Sequence, residues 1–209
     1  MHIALFGGSG RTGAAFVPKA LEAGHTVKLQ ARSPEKVAYS DAGLTVVKGD
    51  VLDAANVASI VAGADAVVSL LGHTKGGSKQ VQTVGTRYIV RAMREQGVRR
   101  LISMSGGGLP YAKDEPKLVD KAFRGVMGLL FKDVIRDAKG HADVLQRSDL
   151  DWTIVRAPRL VSEPDRGEYK VGYVGTTGGS KISRGDVADF ILQVLEEGSH
   201  QRDMPFISW

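Results

Sequence analysis

Short apolar runs alternate with amphipathic stretches along the whole chain. The runs at residues 3–6, 26–30, 44–48, 66–71, 100–104 and 152–155 have the length of strands. The run at 66–71 is apolar nearly throughout, as expected of a parallel strand covered on both faces. Between them, helical periodicity covers 11–23, 53–61 and 78–96. In the last of these, Val81, Val84, Tyr88, Ile89, Ala92 and Met93 recur at three- and four-residue spacing. Pro34 opens a short helix, Asp53 stands at a helix N-cap position, and Gly24 and Gly63 close helices. Residues 106–116 read as loop. Residues 117–148 are helical again, in two pieces broken near Gly125 and Gly128. A strand is expected within 169–174, a helix at 186–197 and a short strand at 205–208. This alternation predicts one α/β domain over residues 1–209, a doubly wound parallel sheet of Rossmann-like type. Elements near 106–135 and 157–182 are expected to cover a substrate.

The sharpest motif follows the first strand and opens the first helix: Gly7-Gly8-Ser9-Gly10-Arg11-Thr12-Gly13. Glycines at 7, 10 and 13 let the chain turn tightly and approach a pyrophosphate, which the helix N-terminus attracts. A dinucleotide ribose with a free 2′-OH calls for a carboxylate at the end of the second strand. Arg32 stands there instead, followed by Ser33, with Lys36 and Arg11 as nearby cations, and a guanidinium fork matches a 2′-phosphate. The expected cofactor is therefore NADP(H). Asp50 is either a hydrogen-bond acceptor for the adenine amino group or a turn residue, with Val51 against the ring. Leu71 and Gly72 close the fourth strand, where Gly72 permits close backbone approach to the adenosine. His73 is a candidate phosphate or substrate contact, and a solvated loop histidine otherwise.

Composition narrows the chemistry. The chain has no cysteine, which excludes disulfides, thiolate catalysis and cysteine-ligated metal clusters. The net charge of +5 suits anionic ligands or a merely solvated surface, and no basic run supports nucleic-acid binding. No apolar run reaches the length of a membrane span, and the N-terminus enters a strand directly, so a cytoplasmic protein without a signal peptide is expected. None of the five tyrosines has a lysine four residues on, which disfavours the Tyr-Lys route to ketone reduction.

Together these residues resemble the atypical short-chain dehydrogenases/reductases, in particular the NAD(P)H-binding, NmrA-like group that contains the flavin reductases. The likeness runs through Phe6 to Gly13, Arg32, Gly49-Asp50-Val51-Leu52, Leu70-Leu71-Gly72, Ser103-Met104-Ser105, Trp152 to Arg156 and Ile182 to Ala188. It implies cofactor contacts at Gly7, Ser9, Gly10, Arg11, Thr12, Gly13, Arg32, Asp50, Val51, Leu71 and Gly72. It also implies that Ser103 and Ser105 lie beside the nicotinamide. Arg159 stands where the flavin reductases carry a substrate-lining histidine, a departure that bears on the substrate. Ser105 and Lys139 are candidate catalytic groups, Lys139 either near the nicotinamide ribose, as a proton donor, or as a surface partner of Asp143. Arg159, with Arg156, is a candidate for attracting an anionic acceptor, and Arg156 is alternatively a buried partner of Asp189 or another carboxylate. The implied activity is hydride transfer to a flavin, quinone or similar conjugated acceptor. The alternative is a non-catalytic NADP(H) sensor acting through a protein partner. The stripe Val119, Phe123, Val126, Met127, Leu130 and Phe131 reads as a core helix, a lid or a partner-binding helix. A monomer or homodimer is expected, and Gly85 packs its helix closely against its own sheet or against another subunit.

Overall fold

The computed structural model describes the backbone of residues 1–209 and every side chain except those of Val119, Phe123, Arg124 and Met127. The strands are β1 (His2–Phe6), β2 (Thr26–Ala31), β3 (Leu44–Lys48), β4 (Ala66–Ser69), β5 (Arg100–Gly106), β6 (Asp151–Ala157), β7 (Arg159–Val161), β8 (Lys170–Gly172), β9 (Lys181–Ser183) and β10 (Phe206–Ser208). The helices are α1 (Arg11–Glu22), α2 (Ala54–Val61), α3 (Val81–Gln96), α4 (Leu118–Leu130), α5 (Lys132–Gln146) and α6 (Arg184–Glu197). The main sheet has the order β3-β2-β1-β4-β5-β6-β10-β8. All pairs are parallel except the edge strand β8, which runs antiparallel to β10.

Alternation along each strand divides the core in two. Ile3 and Leu5 of β1, with Val27, Leu29 and Val155, face α1 and α6. Ala4 and Phe6, with Val67, Leu101 and Ile154, face α2, α3 and α5. The chain order reverses between β1 and β4, so the loops leaving those strands diverge and open a crevice at the carboxyl edge of the sheet.

The sequence expectations hold for the order and type of the main elements and shift at several boundaries. The helix expected from Ser78 begins at Val81. Residues 117–148 do divide, but at Phe131 rather than at Gly125 or Gly128. The separate two-stranded ribbon β7–β9 was not expected from the pattern, since each strand is three residues long. Gly85 packs on its own subunit: a β-carbon there would meet Val51 Cγ2 at 2.8 Å and Leu71 Cδ1 at 3.1 Å.

Two covering segments are tied down differently. The loop after β5 is held by Arg156, which is wholly buried. Its Nη2 and Nη1 donate to Asp114 Oδ1 and Oδ2 at 2.7 and 2.9 Å, while Nη1 and Nε donate to the Leu109 and Met204 carbonyls, each at 2.9 Å. Arg156 therefore pairs with Asp114; Asp189 instead binds Lys19 at 2.9 Å. This corrects the expectation that Arg156 draws in an anionic acceptor. In contrast, α4 presents Val126, Leu129 and Leu130 to solvent, and Phe131 beyond it is also exposed. Of the expected stripe, Val126, Leu130 and Phe131 are therefore not core; Val119, Phe123 and Met127 lie outside the described side chains.

Candidate functional site

A cleft of about 530 Å³ lies where β1 and β4 diverge. Its floor is the glycine loop. Gly7 has φ +76°, and a β-carbon there would meet the Leu70 carbonyl oxygen at 2.5 Å, so only glycine lets the loop pass beneath β4. A β-carbon on Gly13 would collide with the Gly8 backbone, which packs the first turn of α1 onto the loop. Helical bonding starts with the Ala14 N–H donating to the Gly10 carbonyl at 2.8 Å. The N-cap residue Gly10 has no side chain to cap the helix, and the first turn of α1 holds no acid. The opening N–H groups of α1 and its positive dipole end thus face the cleft uncompensated, which suits a pyrophosphate.

Gly7, Ser9, Gly10, Arg11, Thr12, Arg32, Asp50, Val51, Leu71, Gly72 and His73 all line this one cleft. The glycine loop, the ends of β2 and β3 and the loop after β4 are thereby brought together as the sequence motifs imply. Gly13 lies just behind the wall, in the packing described above. Arg32 is exposed and donates from Nη2 to Thr74 Oγ1 at 3.2 Å. Among the described residues it has no carboxylate partner, and Lys36 does not line the cleft. Asp50 accepts the Leu52 N–H at 3.0 Å, so the turn role is realised while the residue still borders the cleft.

His73 Nε2 lies 3.1 Å from Asp137 Oδ2 and 3.3 Å from the Lys79 carbonyl oxygen. Asp137 is buried, and its two oxygens accept the Gln82 and Thr83 N–H groups at 2.9 and 2.8 Å. A carboxylate on α5 thus caps the start of α3 and holds the His73 imidazole at the cleft wall.

The candidate catalytic groups, Ser105 and Lys139, sit elsewhere, as does Ser103, expected beside the nicotinamide. Ser103 is buried, and its hydroxyl lies 2.9 Å from His141 Nε2. Burial holds His141 down at about 4, so its imidazole is neutral at neutral pH. Ser105 is buried, and its hydroxyl has no partner among the described residues. Lys139 is exposed on α5, and none of the three lines the cleft. Arg159 is likewise exposed and outside the cleft. No tyrosine lines it either; burial and the Asp203 carboxylate push the Tyr111 hydroxyl up to about 12. Sequence reasoning gave no site role to Gln30, Thr74, Gly77, Ser78, Val81, Leu160 and Arg184, which also line the cleft. Only Arg184 left a signal, inside the stretch Ile182 to Ala188, where no role was attached to it.

The NAD(P)H-binding family model matches residues 7–198. The chain belongs to that family. An uncharacterized chloroplastic protein of Arabidopsis thaliana is 28% identical, over 92% of this chain and 72% of its own. An isoflavone reductase homolog of Zea mays is 34% identical over 46% of this chain, but that match spans only 31% of the maize protein. Among solved structures, the anaerobilin reductase ChuY of Escherichia coli O157:H7 superposes with TM-score 0.81 at 21% identity, covering 100% of this chain and 97% of its own. A Veillonella parvula short-chain dehydrogenase/reductase in complex with NADP gives TM-score 0.79 at 20% identity, covering 100% and 94%. These likenesses establish the Rossmann-type fold. No described helix is long and apolar enough to cross a membrane. The Arabidopsis relative is chloroplastic, so membership of the family does not itself place the chain in the cytoplasm.

Proposed function

We propose that the protein is an NADPH-dependent reductase that passes hydride to a flavin, quinone or similar conjugated acceptor. The observation that carries this reading is Arg32: an exposed guanidinium in the cleft wall at the end of β2, bonded among the described residues only to a hydroxyl, where an acid would select NAD(H). NADPH, when bound, supplies the hydride. The chain's residues then bind and orient. The N–H groups of the glycine loop and α1 hold the pyrophosphate, Arg32 and Thr74 hold the 2′-phosphate, and Asp50 and Val51 border the adenine. His73, fixed by Asp137, presents its other ring nitrogen at the wall. The lack of a tyrosine acid in the cleft favours acceptors that need no dedicated protein acid, because water can protonate their reduced forms. The reductases among the relatives are consistent with this class.

The test is NADPH oxidation, followed by its near-ultraviolet absorbance, with a panel of FMN, riboflavin and small quinones. Turnover well above the protein-free rate is expected, and its absence with every acceptor counts against a reductase. One observation favours a second reading, a non-catalytic NADP(H) sensor: Ser103, Ser105 and Lys139 all lie outside the cleft. A sensor binds NADPH and NADP+ with unequal affinity yet oxidises NADPH with none of the panel.

A further inference from the structure

Exposed apolar side chains are concentrated in one place. Of the nine large apolar side chains exposed among the described residues, six fall between Leu118 and Val134. Leu118, Leu129 and Leu130 of α4 are 82, 71 and 69% exposed. Val126 of the same helix, Phe131 at the junction and Val134 in the first turn of α5 are exposed as well. On a helical wheel Leu118, Val126, Leu129 and Leu130 share one half of α4, while Asp120 and Lys121 lie on the other. A β-carbon on Gly125 or Gly128 would meet nothing within 4 Å, so the protein leaves much of that other half open too.

The charges around the apolar half are mostly positive. Residues 117–136 contain five basic residues and two acidic ones. Both acids are engaged within the protein: Asp120 accepts the Lys117 N–H at 2.8 Å at the start of α4, and Asp133 lies 2.7 Å from Lys79 Nζ. Lys117, Lys121 and Lys132 are exposed, and among the described residues none has a carboxylate within ion-pair distance. An aliphatic face edged by such lysines complements an anionic lipid bilayer, which takes up the apolar side chains at its acyl boundary and holds the cations at its headgroups. Thirteen residues are too few to cross the hydrocarbon, so the fit is to a helix lying in the plane of the surface. A protein partner is a poorer match. The described part of the face offers no tyrosine, tryptophan or arginine of the kind that anchors protein interfaces. A second copy related by a two-fold axis brings the same positive edge against itself.

We propose that α4 is a membrane-docking helix that seats the protein on an anionic lipid surface. Leu118, Val126, Leu129, Leu130 and Phe131 enter the acyl boundary, and Lys117, Lys121 and Lys132 meet the headgroups. None of these residues lines the cleft, and the docking does not rest on the reductase reading.

The test is flotation of the full chain with vesicles of phosphatidylcholine, alone or mixed with phosphatidylglycerol. Each lysine at an anionic surface contributes about fivefold, so partitioning to the mixed vesicles is expected to exceed that to the neutral ones at least about tenfold and to fall as ionic strength rises. Leu129→Glu together with Leu130→Glu is expected to lower it at least about tenfold, with an unchanged thermal midpoint because both side chains are already exposed. Lys121→Gln together with Lys132→Gln is expected to remove most of the preference for anionic vesicles. The dependence of the wild type on lipid charge and salt keeps the test decisive if a variant fails to fold. No binding to the mixed vesicles overturns the proposal. So does equal binding to both kinds, or binding that survives both leucine substitutions. A dimer seen in sedimentation in place of vesicle binding, and lost with the two leucines, overturns it as well, since the face then belongs to a second copy.

Discussion

Among the described residues Arg32 has one neutral partner, the Thr74 hydroxyl, and no carboxylate, so its charge is available to a ligand. A hydrogen bond to a charged group contributes roughly 1.5–3 kcal/mol, which is about 10- to 100-fold in affinity. Arg32→Ala is therefore expected to weaken NADPH binding by that factor and NADH binding by less than about threefold, as read by titration of nicotinamide fluorescence. Equal losses for both would remove Arg32 from the 2′-phosphate. His141 carries a consequence of a different kind. Its imidazole titrates near 4 in the folded protein, against 6.5 as the ordinary value, because burial penalises the cation. Between those values the unfolded chain binds more protons than the folded one, so acidification favours unfolding. Stability should be level above about pH 6.5 and decline as pH falls towards 4, by about 3 kcal/mol for this one group. Denaturant midpoints measured at successive pH values should show that decline, and it should flatten in His141→Asn.

At the scale of elements, the loop 107–116 and the helix α4 stand in contrast. The loop hangs on the buried Arg156–Asp114 pair, in which the Arg156 guanidinium donates to Asp114, to the Leu109 carbonyl and to the Met204 carbonyl. Removing Asp114 leaves the Arg156 charge buried without the carboxylate it pairs with. Asp114→Ala is thus expected to cost about 3–5 kcal/mol in unfolding free energy, measured by chemical denaturation, whereas an exposed pair such as Arg91–Glu95 should cost less than about 1 kcal/mol. An Asp114→Ala protein of unchanged stability would mean that the loop is held some other way. The boundary between α4 and α5 shows why the helical region divided where the sequence pattern did not place it. A glycine inside a helix costs only about 1 kcal/mol, so Gly125 and Gly128 are tolerated within α4. The helix ends instead at Leu130, one residue before Phe131.

Over the whole molecule, what was legible in the sequence was local. The glycine loop, Arg32, Asp50 and the Leu71–His73 turn each sit at the end of a strand whose apolar run is visible, and parallel crossovers carry all those ends to one edge. What was hidden depended on distant partners. Nothing local joins Arg11 to Arg184, or Arg156 to Asp114, because topology alone makes them neighbours. Likewise Ser103 and Ser105 follow each other at strand spacing at the end of β5, yet both face α5 rather than the cleft, and Ser103 is engaged by a histidine that periodicity marks only as a buried helix position. Arg159, two residues past the end of β6 and the first residue of β7, is exposed. The parts of the cleft proposed to hold the dinucleotide are therefore read with ease, whereas Leu160 and Arg184 reach its wall from a distant segment. The central claim is that this cleft selects NADPH. Calorimetric titration of the wild-type protein with NADPH and with NADH tests it most directly. The expected result is binding of NADPH at least about tenfold tighter than NADH; equal affinities, or no binding of either, would contradict it.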